Sequence, residues 1–392
     1  MPVFRSLFSC IRLGSIFRNS GRRSGFRFLI LLNALTTLPV MATVTAVSVQ
    51  SPNVSKTGTT HVSSPVHLAA TAESDLQITG YVVYVDGQNV FRNFSPSLDA
   101  WVAIPAGAVH SLYIKAWDKS GSALATSTYS IKATALAPPT PAATANRIEN
   151  IDNMTDWVVD NNNDVGGQCN DGSMGTFDNQ SDPNTSNSPA HDGEGQHFVL
   201  MSKCQYDDSL FLWKNPGGAQ PSSTNFLWDF WFYIPSSTQN HTVQATEFDL
   251  FQAVTLSDGV HWFMFGSQCN YATNQWQIWL PKGNGLSWVN AGFSNCQFAT
   301  GVWHHATYFL QRVTPSGYQV IPADFNSNND TNSDLRFVTL SIDGNTMFLN
   351  GLSYSTKKSN WSPTLGVQHQ LDSSVSGVTI EEYTDQESLT TW

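Results

Sequence analysis

Thr246-Glu247-Phe248-Asp249-Leu250-Phe251-Gln252 is the stretch on which the rest of the chain turns. It stands between two aromatic runs, Phe226-Leu-Trp-Asp-Phe-Trp-Phe-Tyr-Ile234 and His261-Trp-Phe-Met-Phe265. Aromatic residues at this density suit strands, which send alternate side chains to opposite faces. Glu247 and Asp249 therefore share one face, and Phe248 and Leu250 the other. Two strand residues two apart lie roughly 6–7 Å from each other, near the ~5–5.5 Å carboxyl separation of a retaining glycosidase. The pair has two readings: an acid/base couple among sheet aromatics, or two solvated acids on an outer face.

Glu-x-Asp on a strand of a Trp-rich, all-β chain resembles the catalytic strand of laminarinase-type β-glucanases in the concanavalin A-like lectin/glucanase superfamily. That pattern reads Glu-x-Asp-x-Glu or, with a bulge, Glu-x-Asp-x-x-Glu. The resemblance implies that Glu247 is the nucleophile and Asp249 its helper. The third position, the general acid/base, falls on Phe251 without a bulge and on Gln252 with one. Neither side chain can give up a proton as an acid, a role typically worth ~10²–10⁴-fold in rate. Two further segments carry the likeness at fold level. Gly301-Val-Trp-His-His-Ala-Thr-Tyr-Phe-Leu310 is similar to the Trp-His-His strand of laminin-G-like jelly rolls, and Leu340-Ser-Ile-Asp-Gly-Asn-Thr-Met-Phe-Leu349 to the hairpin that follows it. In such families the His pair is mostly structural, which is the role expected of His304 and His305.

Residues 1–42 hold six Arg and no acid, followed by an apolar run from Phe28 to Val40 and the small-x-small site Val40-Met41-Ala42. This is the pattern of a secretory signal peptide. The apolar run is well short of the ~20 residues that span a membrane, so no membrane span is expected in the mature chain. Without the leader the 19 basic residues fall by six to 13 against 30 acidic, a net of −17. Such a surface disfavours nucleic acid and anionic membrane as partners. It also disfavours strongly acidic polysaccharides, leaving neutral or cation-bridged glycans. Cys10 leaves with the leader, and Cys169, Cys204, Cys269 and Cys296 remain. An even number in an exported domain reads as disulfides. Sequence permits three pairings, of which the nearest-neighbour one, Cys169–Cys204 with Cys269–Cys296, is preferred; zinc would call for a Cys-x₂-Cys spacing that is missing. The expected location is secreted, cell-surface or periplasmic.

From Thr43 to Thr134 the text is short β-runs with turn signals such as Asp86-Gly87, about seven strands in all, which suits an immunoglobulin-like sandwich. Phrases such as Val83-Tyr-Val-Asp-Gly87 and Lys115-Ala-Trp-Asp-Lys-Ser-Gly121 resemble bacterial Ig-like modules of exported proteins. A spacer or adhesive role follows from that resemblance. Residues 135–146 open with Ala-Leu-Ala-Pro-Pro-Thr-Pro and are expected to be an extended linker. Residues 147–392 show no sustained helical period and are expected to form one all-β jelly roll of the concanavalin A-like kind.

Eleven of the thirteen Trp lie in that second domain, where exposed aromatics would serve as sugar platforms. In Gln275-Trp-Gln-Ile-Trp-Leu280, alternation puts Trp276 with Ile278 in the core and Trp279 beside Gln275 and Gln277 outside it. Gln277, Trp279, Trp262 and Trp288 are therefore candidate ligand-binding residues, with Gln252 and the turn residue His261. Two loops invite a calcium reading, Asp160-Asn-Asn-Asn-Asp164 and Asp324-Phe-Asn-Ser-Asn-Asn-Asp-Thr-Asn-Ser-Asp334, in which Asp324, Asn326, Asn328 and Asp330 would be the oxygen ligands. Asn329 at the turn-glycine position and Leu335 at the bidentate-Glu position favour a plain solvated loop instead. Asp152, near the domain start, is a further possible ligand of a structural Ca²⁺. No other cofactor is expected. Three readings stay open: an exported bacterial protein binding neutral polysaccharide, a glycoside hydrolase or lyase using Glu247 and Asp249, and an adhesive or structural surface protein.

Overall fold

The computed structural model describes residues 43–160, 174–183, 193–256, 259–282, 285–312, 335–349, 357–358 and 361–392. The expected leader, Cys169 and the calcium ligands Asp324, Asn326, Asn328 and Asp330 lie outside the described residues. The described chain is all-β, and the one helical turn among its described residues is the 3₁₀ turn Asn240–Thr242.

Nine strands come first: β1 (Val44–Ser51), β2 (Thr59–Ser64), β3 (Val66–Ser74), β4 (Ile78–Val85), β5 (Gln88–Asn93), β6 (Leu98–Val102), β7 (His110–Asp118), β8 (Ala123–Ala125) and β9 (Tyr129–Leu136). They form a sheet β1-β3-β6 and a second sheet β2-β9-β7-β4-β5 with β8 on β7. Alternating apolar residues from both sheets, among them Leu68, Leu98, Tyr81, Val83, Ile114 and Ile131, meet in one core. The turn at Asp86-Gly87 has positive φ at both residues, as a tight hairpin requires.

The second set comprises β10 (Asn146–Ile148), β11 (Val158–Asp160), β12 (Met174–Ser181), β13 (Glu194–Met201), β14 (Asp208–Lys214), β15 (Asn225–Tyr233), β16 (Val243–Leu256), β17 (Gly259–Phe265) and β18 (Ser267–Asn270). It continues with β19 (Gln275–Lys282), β20 (Gly285–Ser294), β21 (Trp303–Arg312), β22 (Leu335–Ile342), β23 (Asn345–Phe348), β24 (Lys357–Lys358), β25 (Thr364–Ser373) and β26 (Thr379–Thr391). One sheet runs β12-β13-β26-β15-β21-β22-β23 with β10 on β26; the other runs β11-β14-β25-β16-β18-β19-β20, with β17 on β16 and β24 on β17. Phe226, Trp228, Phe230 and Phe232 of β15 face Phe248 and Leu250 of β16 and Leu371 of β25 across a single aromatic core. The sheets therefore form a sandwich, and each strand's outward side chains are free for other work.

The two sandwiches touch directly. Trp101 and Ala103 of the first pack with Phe309 and Val338 of the second, and the Trp101 and Phe309 rings meet edge to face at 6.1 Å. The Arg336 guanidinium lies 4.3 Å from the Phe91 ring centre and donates to the Trp101 carbonyl and to Gln311 Oε1. Burial pulls the Arg336 pKa down to about 9. β9 runs on to Leu136, into the stretch expected as linker, and Ala137 N–H donates to the Ser64 carbonyl.

Cys269 and Cys296 form a disulfide that closes a 27-residue separation. Cys204 is disulfide-bonded as well. Reducing Cys269–Cys296 should cost roughly 2–4 kcal/mol of stability, the usual contribution of a loop of this length. Urea unfolding of the Cys269→Ala, Cys296→Ala variant against the wild type checks this; coincident midpoints would show that the bond adds nothing.

Candidate functional site

β16 places Glu247 and Asp249 on the outer face of its sheet, as the alternation expects, while Phe248 and Leu250 enter the core. The two acids are not solvated. Glu247 is 5% and Asp249 3% exposed, because both lie on the floor of a cleft of about 860 Å³ that they share with side chains of β14, β25, β18 and β19.

The floor follows from register. Leu210, Gln370, Glu247, Gln268 and Gln277 fall in one row across β14, β25, β16, β18 and β19. At ~4.8 Å per strand that row spans roughly 19 Å. One step along the strands Asp249 pairs with Gln368, and on the other side Asp208 pairs with Asp372. Trp262 and Met264 of β17, Trp279 of β19 and Trp288 of β20 stand at one side, and Tyr206 at the other. Trp279 and Trp288 are register partners whose rings meet at 4.9 Å and 62°.

The amides hold the acids in place. Gln368 Nε2 donates to Asp249 Oδ2 at 2.9 Å, and the Ser267 N–H donates to Asp249 Oδ1 at 2.9 Å. Gln370 Nε2 donates to Asp372 Oδ1 at 2.9 Å, and Gln268 Nε2 to Gln277 Oε1 at 2.5 Å. Glu247 and Asp372 share a hydrogen bond, in which a protonated Glu247 donates. Burial raises the Glu247 pKa well above the usual carboxylate range, helped by the charges of Asp372 and Asp249. Burial likewise pushes Asp249 up to about 8 against the opposing Ser267 N–H, and Asp372 to about 6 against the Gln370 and Glu247 hydrogen bonds. Carboxyls shifted by burial and by neighbouring charges in a cleft are candidates for a functional site.

Two glycines shape the cleft. A Cβ on Gly266, between β17 and β18, would sit 2.9 Å from the Trp279 Cβ and 3.5 Å from Asp249 Oδ1. The bare backbone there lets Trp279 stand beside the acid. A Cβ on Gly366 would lie 2.4 Å from the Phe251 ring, so Phe251 lies flat on β25, and Trp361 packs edge-on against it at 5.7 Å. That packing closes the strand's third outer position with an apolar plug.

The expected residues divide accordingly. Glu247, Asp249, Trp262, Gln277, Trp279 and Trp288 come together in the cleft, and Trp276 is fully buried in the core. Gln252 does not join them. β16 pairs with β25 without a bulge from Ala245 to Ala253, so Gln252 takes the core parity. It is fully buried, and its Nε2 donates to the Ala219 and Gln220 carbonyls. His261 shares the parity of core residues Phe263 and Phe265 and is not among the cleft-lining residues. His304 bonds Asp343 at 2.7 Å, and His305 stacks on Trp231 and bonds Asp229 at 3.1 Å, both on the opposite sheet. Asp152 is buried and accepts the Glu387 N–H, and among the described residues no group of three or more His, Cys, Asp or Glu could hold a metal.

Sequence reasoning missed the contribution of β25. Gln368, Gln370 and Asp372 alternate as cleanly as Glu247 and Asp249 do, and that period-2 polar face was the available signal. Gln268, Asp208 and Tyr206 had no such signal, since short strands and turns around them leave too little pattern.

No family model matches the chain, and no curated protein matches it. Among solved structures it is similar to carbohydrate-binding modules from the β-sandwich superfamily, at 10% identity over 88% of this chain and 96% of that one, with TM-score 0.28. A conserved carbohydrate esterase of a Shiga toxin-encoding bacteriophage matches at 12% identity, 55% and 89% coverage, and TM-score 0.29. A native glycosidic hydrolase matches at 11% identity, 65% and 98% coverage, and TM-score 0.27. Likenesses this loose give no residue-level correspondence, and the chemistry must come from the site itself.

Proposed function

We propose that this is an exported polysaccharide-binding protein, with the glycan lying across the strands in the cleft of the second sandwich and the first, Ig-like sandwich acting as its spacer. One observation carries the reading: a floor of amides and carboxyls crosses five strands beneath Trp262, Trp279 and Trp288. Sugar rings offer an apolar face to stack on aromatics and an equatorial rim of hydroxyls for amide and carboxyl partners. A site of this make-up combines burial with a few placed polar groups, as ligand sites do.

The glycosidase reading would need, beside the protonated Glu247, a second carboxyl at catalytic separation from it across the cleft. Asp372 and Asp208, register partners, are the added carboxyls of the cleft; Asp372 is in hydrogen-bond contact with Glu247, closer than the ~5–5.5 Å of a retaining couple and far closer than the ~6.5–9.5 Å of an inverting one. The position on the strand itself is filled by Phe251. Binding without cleavage is therefore favoured, and the purified protein should release no reducing ends from any glycan that it binds.

Trp279→Ala tests the reading. Loss of a central aromatic contact of this kind typically costs 2 kcal/mol or more, so affinity for a bound glycan should fall roughly thirtyfold or more on a glycan array followed by titration. Stability should fall by less than the ~3–5 kcal/mol of a fully buried Trp, because Trp279 is only partly buried. Unaltered glycan binding by this variant would remove the cleft from consideration.

A further inference from the structure

The charge of the cleft narrows the ligand, on the reading that a glycan lies there. Asp208, Glu247, Asp249 and Asp372 all line it, and none of the described lining residues is Lys, Arg or His. Among the described side chains the nearby cations stand elsewhere. The Lys214 ammonium is 5.6 Å from the Trp361 ring centre, beyond the Phe251 plug, and His369 lies beneath the floor in the core. The acids have hydrogen-bond donors in Gln368, Gln370 and Ser267, but no described cation beside them in the lining, and burial keeps protons on them instead. A neutral sugar would add only further neutral donors, and a uronate or sulfate would find no described cation in the lining to pair with. An ammonium group supplies what is missing, and the faces of the flanking Trp rings attract cations as well.

We infer that the cleft is built for a polymer of unacetylated amino sugars, whose protonated amines lie against the Glu247–Asp372 pair and the Asp249 carboxyl. Charge-assisted hydrogen bonds of this kind are about twice as strong as neutral ones. Burial raises the Glu247 and Asp249 pKa values and an ammonium beside them would lower both, so binding should release protons to the solvent. A neutral glycan would release none.

The experiment is calorimetric titration of the mature chain, at pH 6 and in two buffers of different ionisation enthalpy, with three hexamers: β-1,4-linked glucosamine, its fully N-acetylated form and the corresponding glucose hexamer. The glucosamine hexamer should bind at least tenfold tighter than either neutral one, with buffer-dependent heat that reports proton release. The double variant Glu247→Gln, Asp372→Asn should lower the ratio of glucosamine to N-acetylglucosamine affinity by roughly ten- to hundredfold, the worth of one or two charged hydrogen bonds. Equal or tighter binding of a neutral hexamer would overturn the amino-sugar assignment while leaving the glycan-binding cleft intact. Glucosamine binding that survives Trp279→Ala would overturn it too, by showing a polycation held loosely on an acidic surface, as would binding that disappears with a chelator. If none of the hexamers binds, and no other glycan does, both readings fall together.

Discussion

Thermal stability should fall as pH is raised from about 4 to about 8. Asp249 is raised to about 8 and Asp372 to about 6 in the folded chain, while in the unfolded chain both titrate near the ordinary value of 3.8. Between those limits the folded state binds more protons than the unfolded one, so the slope of stability with pH is negative. The stabilisation is complete below about pH 4 and is lost as pH rises through 6 for Asp372 and through 8 for Asp249. Asp152, raised to about 8 by burial, acts in the same direction. Each unit is worth about 1.4 kcal/mol, so Asp249 alone accounts for roughly 3–4 kcal/mol between pH 5 and pH 8. Asp86, Asp118, Asp229 and Asp343 have lowered pKa values and lose stability only below about pH 4, so the maximum should lie near pH 4–5. Melting curves across this range give the answer. A melting temperature higher at pH 8 than at pH 5 would show that these carboxyls are ionised in the folded protein.

His369→Leu should be among the most damaging single changes to the fold. His369 is fully buried between the sheets, bonds Glu382 at 2.8 Å, and lies 3.6 Å from Glu387, which also accepts the Trp228 indole N–H at 2.8 Å. Burial disfavours its charge, but Glu387 and Glu382 outweigh that and lift its pKa to about 9. Removing it leaves two buried carboxyls without their cation, a loss of roughly 3–5 kcal/mol in comparable cases. Chemical denaturation measures it directly; a loss under about 1 kcal/mol would mean that the glutamates are already protonated. The linkage sign is that of a raised histidine: its contribution is full below about pH 6.5 and disappears as pH passes 9.

The architecture was legible wherever a strand had one dry and one wet face. Phe226–Ile234 was expected as a strand and is Asn225–Tyr233, because its aromatics leave no other way to be buried. The stretch Thr246–Gln252 lies within a longer strand, Val243–Leu256. β26 runs from Thr379 to Thr391. Its second half passes through polar residues and a register shift near Gln386, which has positive φ, so the period is broken where the buried acids Asp385 and Glu387 begin. β12, with its polar text Met174–Ser181, has no hydrophobic alternation to betray it. Half of the cleft was readable from Glu247, Asp249 and the placing of Trp279. The other half came from β25, which is distant in sequence and meets β16 only through long-range pairing that no local pattern encodes. Gln252 was misplaced because the family pattern allows a bulge that this strand does not have.

The bare position at Gly266 has a consequence for how the protein can change. One added carbon there would press on the Trp279 Cβ at 2.9 Å and begin to screen Asp249 Oδ1 at 3.5 Å. The gauge of the channel and the accessibility of an acid are thus tied to one codon. Ligand preference can shift through a single substitution to alanine or serine there, which acts by displacing Trp279 and covering Asp249 rather than by replacing either.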